Sequence, residues 1–277
     1  MVSRFNPAKI ITYFILTCVS FVILFPMYLT LVTPFKTMEE SSASFVALPK
    51  TLNFDNFKKV IEMGNYLPAI KNSFIITVIA TVIAILFNAM VAYFIVRNER
   101  KRFYKFIYFY FIIAMFIPFQ VLMLPLIKTV SNYNMMSIPG LIFLYILFSF
   151  PNNIFLYGGF IKNIPLELEE AAIIDGCTRF GVFFRVVLPL LKTITATVAV
   201  LTVLWIWNDF LLPLLILSKD IDNYTLPLFQ FNFTTKYTTD YNLAFASYLT
   251  ALIPPIILYL FCQKYIINGI SEGAIKG

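Results

Sequence analysis

The chain has 277 residues, 60% of them hydrophobic and only 13% charged, with no histidine and a net charge of +7. A soluble domain of this size carries about a quarter charged residues, so the balance excludes an ordinary water-soluble fold and points to a chain solvated by lipid. The lack of histidine, three cysteines (Cys18, Cys177, Cys262) without C-x-x-C spacing, and nine glycines without G-x-x-x-x-G-K-[ST] exclude a zinc site, a disulfide framework and a P-loop.

A helix that crosses the hydrocarbon core needs about 20 largely apolar residues. The first such run, 10–35, follows a short N-terminal segment, 1–9. It exceeds the about 7–15 residues of a signal-peptide core and has no A-x-A site after it, so it reads as a retained span over 10–33. Spans follow at 72–96 and 106–127. The uncharged stretch at 129–161 is too long for one helix, and its span is expected over 138–160. Two more fall at 193–217, interrupted only by Asp209, and at 243–263. Prolines such as Pro26, Pro118, Pro151, Pro213 and Pro254 would break soluble helices but are tolerated where neighbouring helices re-satisfy the backbone. Continuous apolar runs, rather than alternation, argue against a β-barrel. The expected fold is an all-α integral membrane protein, with six transmembrane helices in one domain over 10–277.

Orientation follows from lysine and arginine. With the N-terminus in the cytoplasm, 13 of the 21 basic residues lie on inner segments, five of them in or beside the RNERKR turn (Arg97, Arg100, Lys101, Arg102, Lys105). Both termini are then cytoplasmic, and the basic excess is a topology signal rather than a nucleic-acid footprint.

The longest inner segment is the loop 161–189, IKNIPLELEEAAIIDGCTRFGVFFRVVLP. Pro165 suits a first helical turn, and Glu167, Glu169 and Glu170 favour the positive end of the helix dipole. Leu168, Ala171 and Ala172 fall on one face, with Glu169 and Glu170 expected opposite. Gly176 can adopt positive φ and end the helix after Asp175. A second short stretch presents Phe180, Phe183 and Phe184. On these grounds alone, an ordinary helix lying on the membrane surface would serve as well.

The spacing carries more. Glu170-Ala171-Ala172, three residues, Gly176, nine residues, Val186, one residue, then Leu188-Pro189 resembles the EAA signature of ABC importer permeases. FPMYLTLVTPFKTMEE at 25–40, TLNFDNF at 51–57, MFIPFQVLMLPL at 115–126, WIWNDFLLPLLILS at 205–218 and GAIKG at 273–277 are similar to the shorter, six-span permease of the maltose-type carbohydrate branch. Val186 stands where isoleucine is commonest, a conservative departure.

The resemblance implies a type I importer permease fold whose loop forms a cytoplasmic two-helix coupling element. Glu170, Ala171, Ala172, Asp175, Gly176, Leu188 and Pro189 would mark the dock for an ATPase subunit. It implies as partners a second homologous permease in a heterodimer, two ATPase subunits that bind ATP and Mg, an extracytoplasmic solute-binding protein, membrane lipid and a carbohydrate cargo, with no nucleic acid. No catalytic residue, metal or cofactor is expected in this chain, which would sit as a multi-pass protein in a bacterial or archaeal cell membrane. The GAIKG tail would contact the ATPase or be a frayed end.

Asp209 is the one ionisable residue deep in a span. It needs polar surroundings, either beside Asn208 in a translocation path or paired with a neighbouring helix. Asn88, Gln120, Asn152 and Asn153 are further polar residues within spans, readable as path-lining groups or as inter-helix hydrogen-bonding. The outer loop 219–242 offers Tyr224, Phe229, Phe231 and Tyr237, which would either stack on sugar released by the binding protein or anchor the interface. Glycerol 3-phosphate or another glycoside is an alternative cargo. An ion-coupled secondary transporter is a rival of another class, but it usually shows ionisable midplane groups and leaves the loop motif unexplained.

Overall fold

The computed structural model describes residues 7–236 and 240–274, with side chains at 9, 11–231, 240–261 and 263. The described residues are helical and connecting segments without strands. Four helices are long and apolar enough to cross a membrane, and up to six if each of two bent pairs is one span. Two compact units divide the chain: residues up to Tyr66 with Gln230–Ile253, and Leu67–Phe229 with residues from Pro254 onward.

In the first unit, α1 (Pro7–Val32) exposes apolar side chains such as Phe14, Phe21 and Val22 along its length. Such a helix has no reason to persist in water and every reason to persist in lipid. A capping box then opens α2 (Met38–Ala43): Thr37 accepts from the Glu40 amide, and Glu40 accepts from the Thr37 amide. The Thr37 and Lys50 amides together hold the Glu40 carboxyl below its usual range. Lys36 is buried, and its ammonium donates to the carbonyls of Ser44 and Phe45, while Asn56 and Asn242 donate to its own carbonyl. After it comes α3 (Asp55–Glu62).

The second unit is organised around α4 (Tyr66–Arg97). Its inward stripe is built from small residues at three- and four-residue spacing: Ser73, Thr77, Ala80, Ala84, Asn88 and Ala92. Small side chains let helix backbones approach closely, which is how helices gain packing where the solvent is as apolar as they are. Large residues, among them Phe74, Ile79 and Phe87, face outward.

The segment expected as a single span at 106–127 is two helices, α5 (Arg102–Ala114) and α6 (Phe119–Asn132), bent by 106°. Pro118 explains the break. It disfavours the helical conformation at Ile117 and itself sits extended, at ψ 132°, as the residue before α6. Then α7 (Ile138–Ile161) runs through Pro151, with Ser137 capping its first turn. The Asn88 amide nitrogen donates to Ser149 of α7 at 2.7 Å, while its Oδ1 is buried without a partner.

The 161–189 segment holds α8 (Leu166–Ile174), α9 (Arg179–Val182), a π-type turn at Phe183–Val187 and α10 (Leu188–Leu190). Beyond a 79° bend, α11 (Lys192–Asn208) stops at Asp209, which is extended, and α12 (Leu211–Leu217) resumes. The span expected over 193–217 is therefore interrupted at its acid. The chain closes with α13 (Leu226–Lys236) and α14 (Tyr241–Ala274). Two apolar clusters fill the second unit. One, around Phe150, Tyr157, Ile161, Phe183 and Val187, backs the 161–189 segment; the other, around Leu141, Tyr145, Ile206, Leu212 and Ile216, backs the helix break.

Candidate functional site

Local geometry makes the 161–189 segment a helix, a sharp turn and a second helix. Pro165 precedes α8, and Gly176 ends it at φ +86°, a left-handed conformation that costs glycine nothing. The Cys177 amide donates to the Ala172 carbonyl at 2.9 Å and the Gly176 amide to Ile173 at 3.0 Å, the paired bonds of a Schellman turn. Thr178 then caps α9 by accepting from the Gly181 amide. A Cβ at Gly176 would meet nothing within 4 Å, so the demand there is conformational rather than steric. Replacement by valine is expected to cost about 1–2 kcal/mol or more from the left-handed backbone alone, with little packing change. Faster hydrogen exchange at the Gly176 and Cys177 amides, with unchanged exchange in α7, is the check.

One expectation about α8 is corrected. Glu169 does not stand on an exposed face with Glu170. It is 4% exposed and turned inward, while Leu168 is exposed. The reason lies in α4: the Arg97 guanidinium pairs with Glu169 at 2.7 Å, and the Tyr93 hydroxyl donates to the other carboxylate oxygen at 2.7 Å. Arg97 also donates to the Ile164 carbonyl at 2.8 Å. Beside it, Lys162 pairs with Glu99 at 2.8 Å and lies over the Tyr108 ring. The first helix of the loop is thereby tied to the end of α4 and to the RNERKR turn. The spacing within 161–189 held no sign of this, since both partners come from another part of the chain.

The outer face carries the remaining expected residues. Glu170, Ala171, Asp175, Gly176 and Pro189 are exposed, while Ala172 and Leu188 pack against the cluster behind. Around them stand Ile173, Phe180 and Ile174, the last 85% exposed. Apolar side chains grouped beside acids on an outward surface are characteristic of a surface that meets another molecule.

A second feature lies at the break between α11 and α12. Asp209 accepts from the Tyr145 hydroxyl of α7 at 3.0 Å and from the Leu211 amide at 3.1 Å. The acid is thus paired with a neighbouring helix, and it also lines a cavity of about 440 Å³. That cavity brings Gln120, Asn152 and Asp209 together, with Trp205 and Phe148 in its wall. An adjoining cavity of about 230 Å³ shares Phe148, Asn152 and Trp205 and adds Asn153. Asn208 is not part of either; its amide donates to the Leu204 carbonyl at 2.7 Å. Trp205 escaped sequence reading, because a tryptophan in an apolar helix carries no mark of which way it faces.

The residues singled out in 219–242 differ in exposure. The Tyr224 hydroxyl donates to Ser218, its carbonyl accepts from Asn72, and its ring packs on the second apolar cluster. Phe229 is turned inward and Phe231 is exposed. Tyr237 lies outside the described residues, as does the end of the GAIKG tail.

The sequence pattern of a family described as binding-protein-dependent transport system inner membrane component matches residues 89–272. The chain is 40% identical over 268 residues to the multiple sugar-binding transport system permease protein MsmG of Streptococcus mutans, across 95% of this chain and 96% of that protein. It is 41% identical over 251 residues to AmyC of Thermoanaerobacterium thermosulfurigenes, a probable starch degradation products transport system permease protein, across 91% of each. Its fold is similar to a chain of a bacterial ABC transporter involved in the import of the acidic polysaccharide alginate. The TM-score there is 0.80 at 21% identity, with 96% of this chain and 99% of that chain covered.

Proposed function

This chain belongs to the family of binding-protein-dependent transport system inner membrane components, and from that membership we propose that it is one permease subunit of an ATP-driven oligosaccharide importer. It is a multi-pass membrane protein. With a second permease it would form the translocation path, and an extracytoplasmic binding protein would deliver the sugar. ATP and Mg would be held by two ATPase subunits rather than by this chain. The relatives named for multiple sugars and for starch degradation products support an oligosaccharide cargo.

The observation that carries this reading is the outward face of α8 and α9. It offers Glu170 and Asp175 beside Ile173, Ile174 and Phe180, on a helix braced from behind by Arg97 and Tyr93. An ATPase subunit with a basic, apolar-floored groove fits such a face, and the brace lets its movement pass to α4 instead of deforming the loop. The basic RNERKR turn meeting this loop supports placing both on the cytoplasmic side. The cycle is then alternating access: ATP-driven closure of the ATPases draws the docked loops together, and hydrolysis releases them.

In a correctly inserted Glu170→Lys variant, reversing a charge in the dock should lower ATP-dependent oligosaccharide uptake by about 30-fold or more and uncouple the ATPase. Normal uptake by that variant would reject the docking role. Uptake that persists without any ATPase partner and collapses with the ion gradient would reverse the functional reading.

A further inference from the structure

The two adjoining cavities hold an arrangement that the coupling role does not use. Trp205 stands between them at 41% exposure, whereas the chain's other tryptophan, Trp207, is buried at 4%. The Trp205 ring is not loose. Tyr145 packs edge-on against it at 5.4 Å, and Tyr145 is itself held by its bond to Asp209. An indole fixed from behind and open in front is a preorganised stacking platform.

Beside it, in the smaller cavity, Asn153 is 1% exposed, and its side-chain Nδ2 has no hydrogen-bond partner. A buried donor without an acceptor is costly to keep, and such groups in a native structure call for an explanation. The Ser149 hydroxyl, which also lines this cavity, donates to the Ile146 carbonyl and accepts from Asn88, and Asn88 Oδ1 is likewise without a partner. On the other side of Trp205, the larger cavity presents the amides of Gln120 and Asn152 and the carboxyl of Asp209. Neither lining includes a lysine or arginine among the described residues. The larger volume lies within the range of about 300–1,000 Å³ typical of small-molecule sites.

We propose that Trp205, Asn152 and Asn153 form a glycosyl subsite within this chain's own half of the path, selective for neutral oligosaccharides. A pyranose ring lays its C–H face on the open side of Trp205. One of its hydroxyl oxygens accepts from Asn153 Nδ2, and the next unit of the chain reaches Asn152, Gln120 and Asp209. Hydroxyls both donate and accept, which suits a wall of amides and one acid. A phosphate or uronate would meet Asp209 with no cation to offset it, so anionic cargo such as glycerol 3-phosphate is disfavoured. The identification of the cargo as sugar rests on the importer reading above; the subsite and its charge preference deepen that reading.

The experiment uses the assembled importer in lipid nanodiscs, titrated with maltotetraose, raffinose, glycerol 3-phosphate and trigalacturonate. The readout is the tryptophan emission of the wild type minus that of a Trp205→Phe variant, which isolates Trp205. At least one neutral oligosaccharide should give a saturable change and neither anion should. Asn153→Leu should weaken the apparent affinity by about tenfold through loss of a desolvated hydrogen bond. Asn153→Ser, which keeps a smaller donor, should lose less and guards against a folding defect in the leucine variant. If the complex transports a neutral oligosaccharide that leaves Trp205 emission unchanged, the subsite is refuted and the importer reading stands. A saturable response to the anions, or equal affinity in the wild type and both Asn153 variants, also overturns it. Uptake that needs neither ATP nor the ATPase subunits removes both readings.

Discussion

Glu169→Ala should destabilise the chain by about 3–5 kcal/mol and strip most coupled transport from it, although Glu169 lies behind the expected docking face. The side chain is buried, so removing it leaves the Arg97 guanidinium with its charge unpaired in a poorly solvated site, together with a Tyr93 hydroxyl lacking its acceptor. The cost comes from that stranded charge, not from the intrinsic worth of the ion pair. Arg97→Ala should therefore be similarly damaging, and it also frees the Ile164 carbonyl at the entry to α8. The double variant should be clearly less destabilised than the sum of the two singles, because the first loss already removes the reason for the second. Thermal unfolding of the detergent-solubilised chain gives the cycle, and sugar-stimulated ATP hydrolysis gives the functional consequence. Additive effects, or a Glu169→Ala variant with unchanged unfolding, would remove the brace from the account. The contrast with Glu170 is sharp: the charge change there is expected to disrupt partner engagement while leaving unfolding nearly untouched.

Gly140→Ala tests a different constraint. The turn between α6 and α7 uses Asn134 at φ +53°, with Met135 donating to the Val130 carbonyl and Asn134 to Ser131. This folds the Met135 carbonyl over the first turn of α7, where it also accepts from the Ser137 amide. A Cβ at Gly140 would stand 1.9 Å from that carbonyl oxygen and 2.8 Å from its carbon. Because the obstacle is backbone held by its own hydrogen bond, no rotamer change relieves it. The expected loss is at or above the upper end of the about 1–3 kcal/mol typical of overpacking. It should be accompanied by a shift of the end of α6 relative to the start of α7, which this corner joins. Gly159→Ala in the same helix is the control. Nothing lies within 4 Å of its Cβ, so it should be neutral or gain up to about 1 kcal/mol from helix propensity. Equal stability of the two variants would show that the corner yields more easily than its hydrogen bonding implies.

Much of the local structure was legible in the sequence. The apolar runs announced a membrane solution because about 20 residues without charge have no other economical environment. The helix after Pro165 and the left-handed turn at Gly176 were readable because both depend on neighbours only a few residues away. The inward turn of Glu169 was not readable. Its fate depends on Arg97, 72 positions earlier, and α8 offers no internal reason to prefer one glutamate over its neighbour. The same holds for Asp209, where the sequence posed the question and a tyrosine 64 positions away answered half of it.

By itself, then, the sequence determined what is local or summed over a window: lipid as the solvent, helices rather than a barrel as the way its continuous apolar runs close the backbone, and a helix–glycine–helix loop of recognisable spacing. Tertiary structure alone decided which polar side chains are paired and which face a cavity. It tied Glu169 to Arg97, set Tyr145 behind Trp205 and left the Asn153 amide without an acceptor. The physical reason is one of range. Hydrophobicity and backbone geometry act on each segment separately, whereas a buried polar group has a meaning only through a partner, and the partner is chosen by packing between helices distant in the chain.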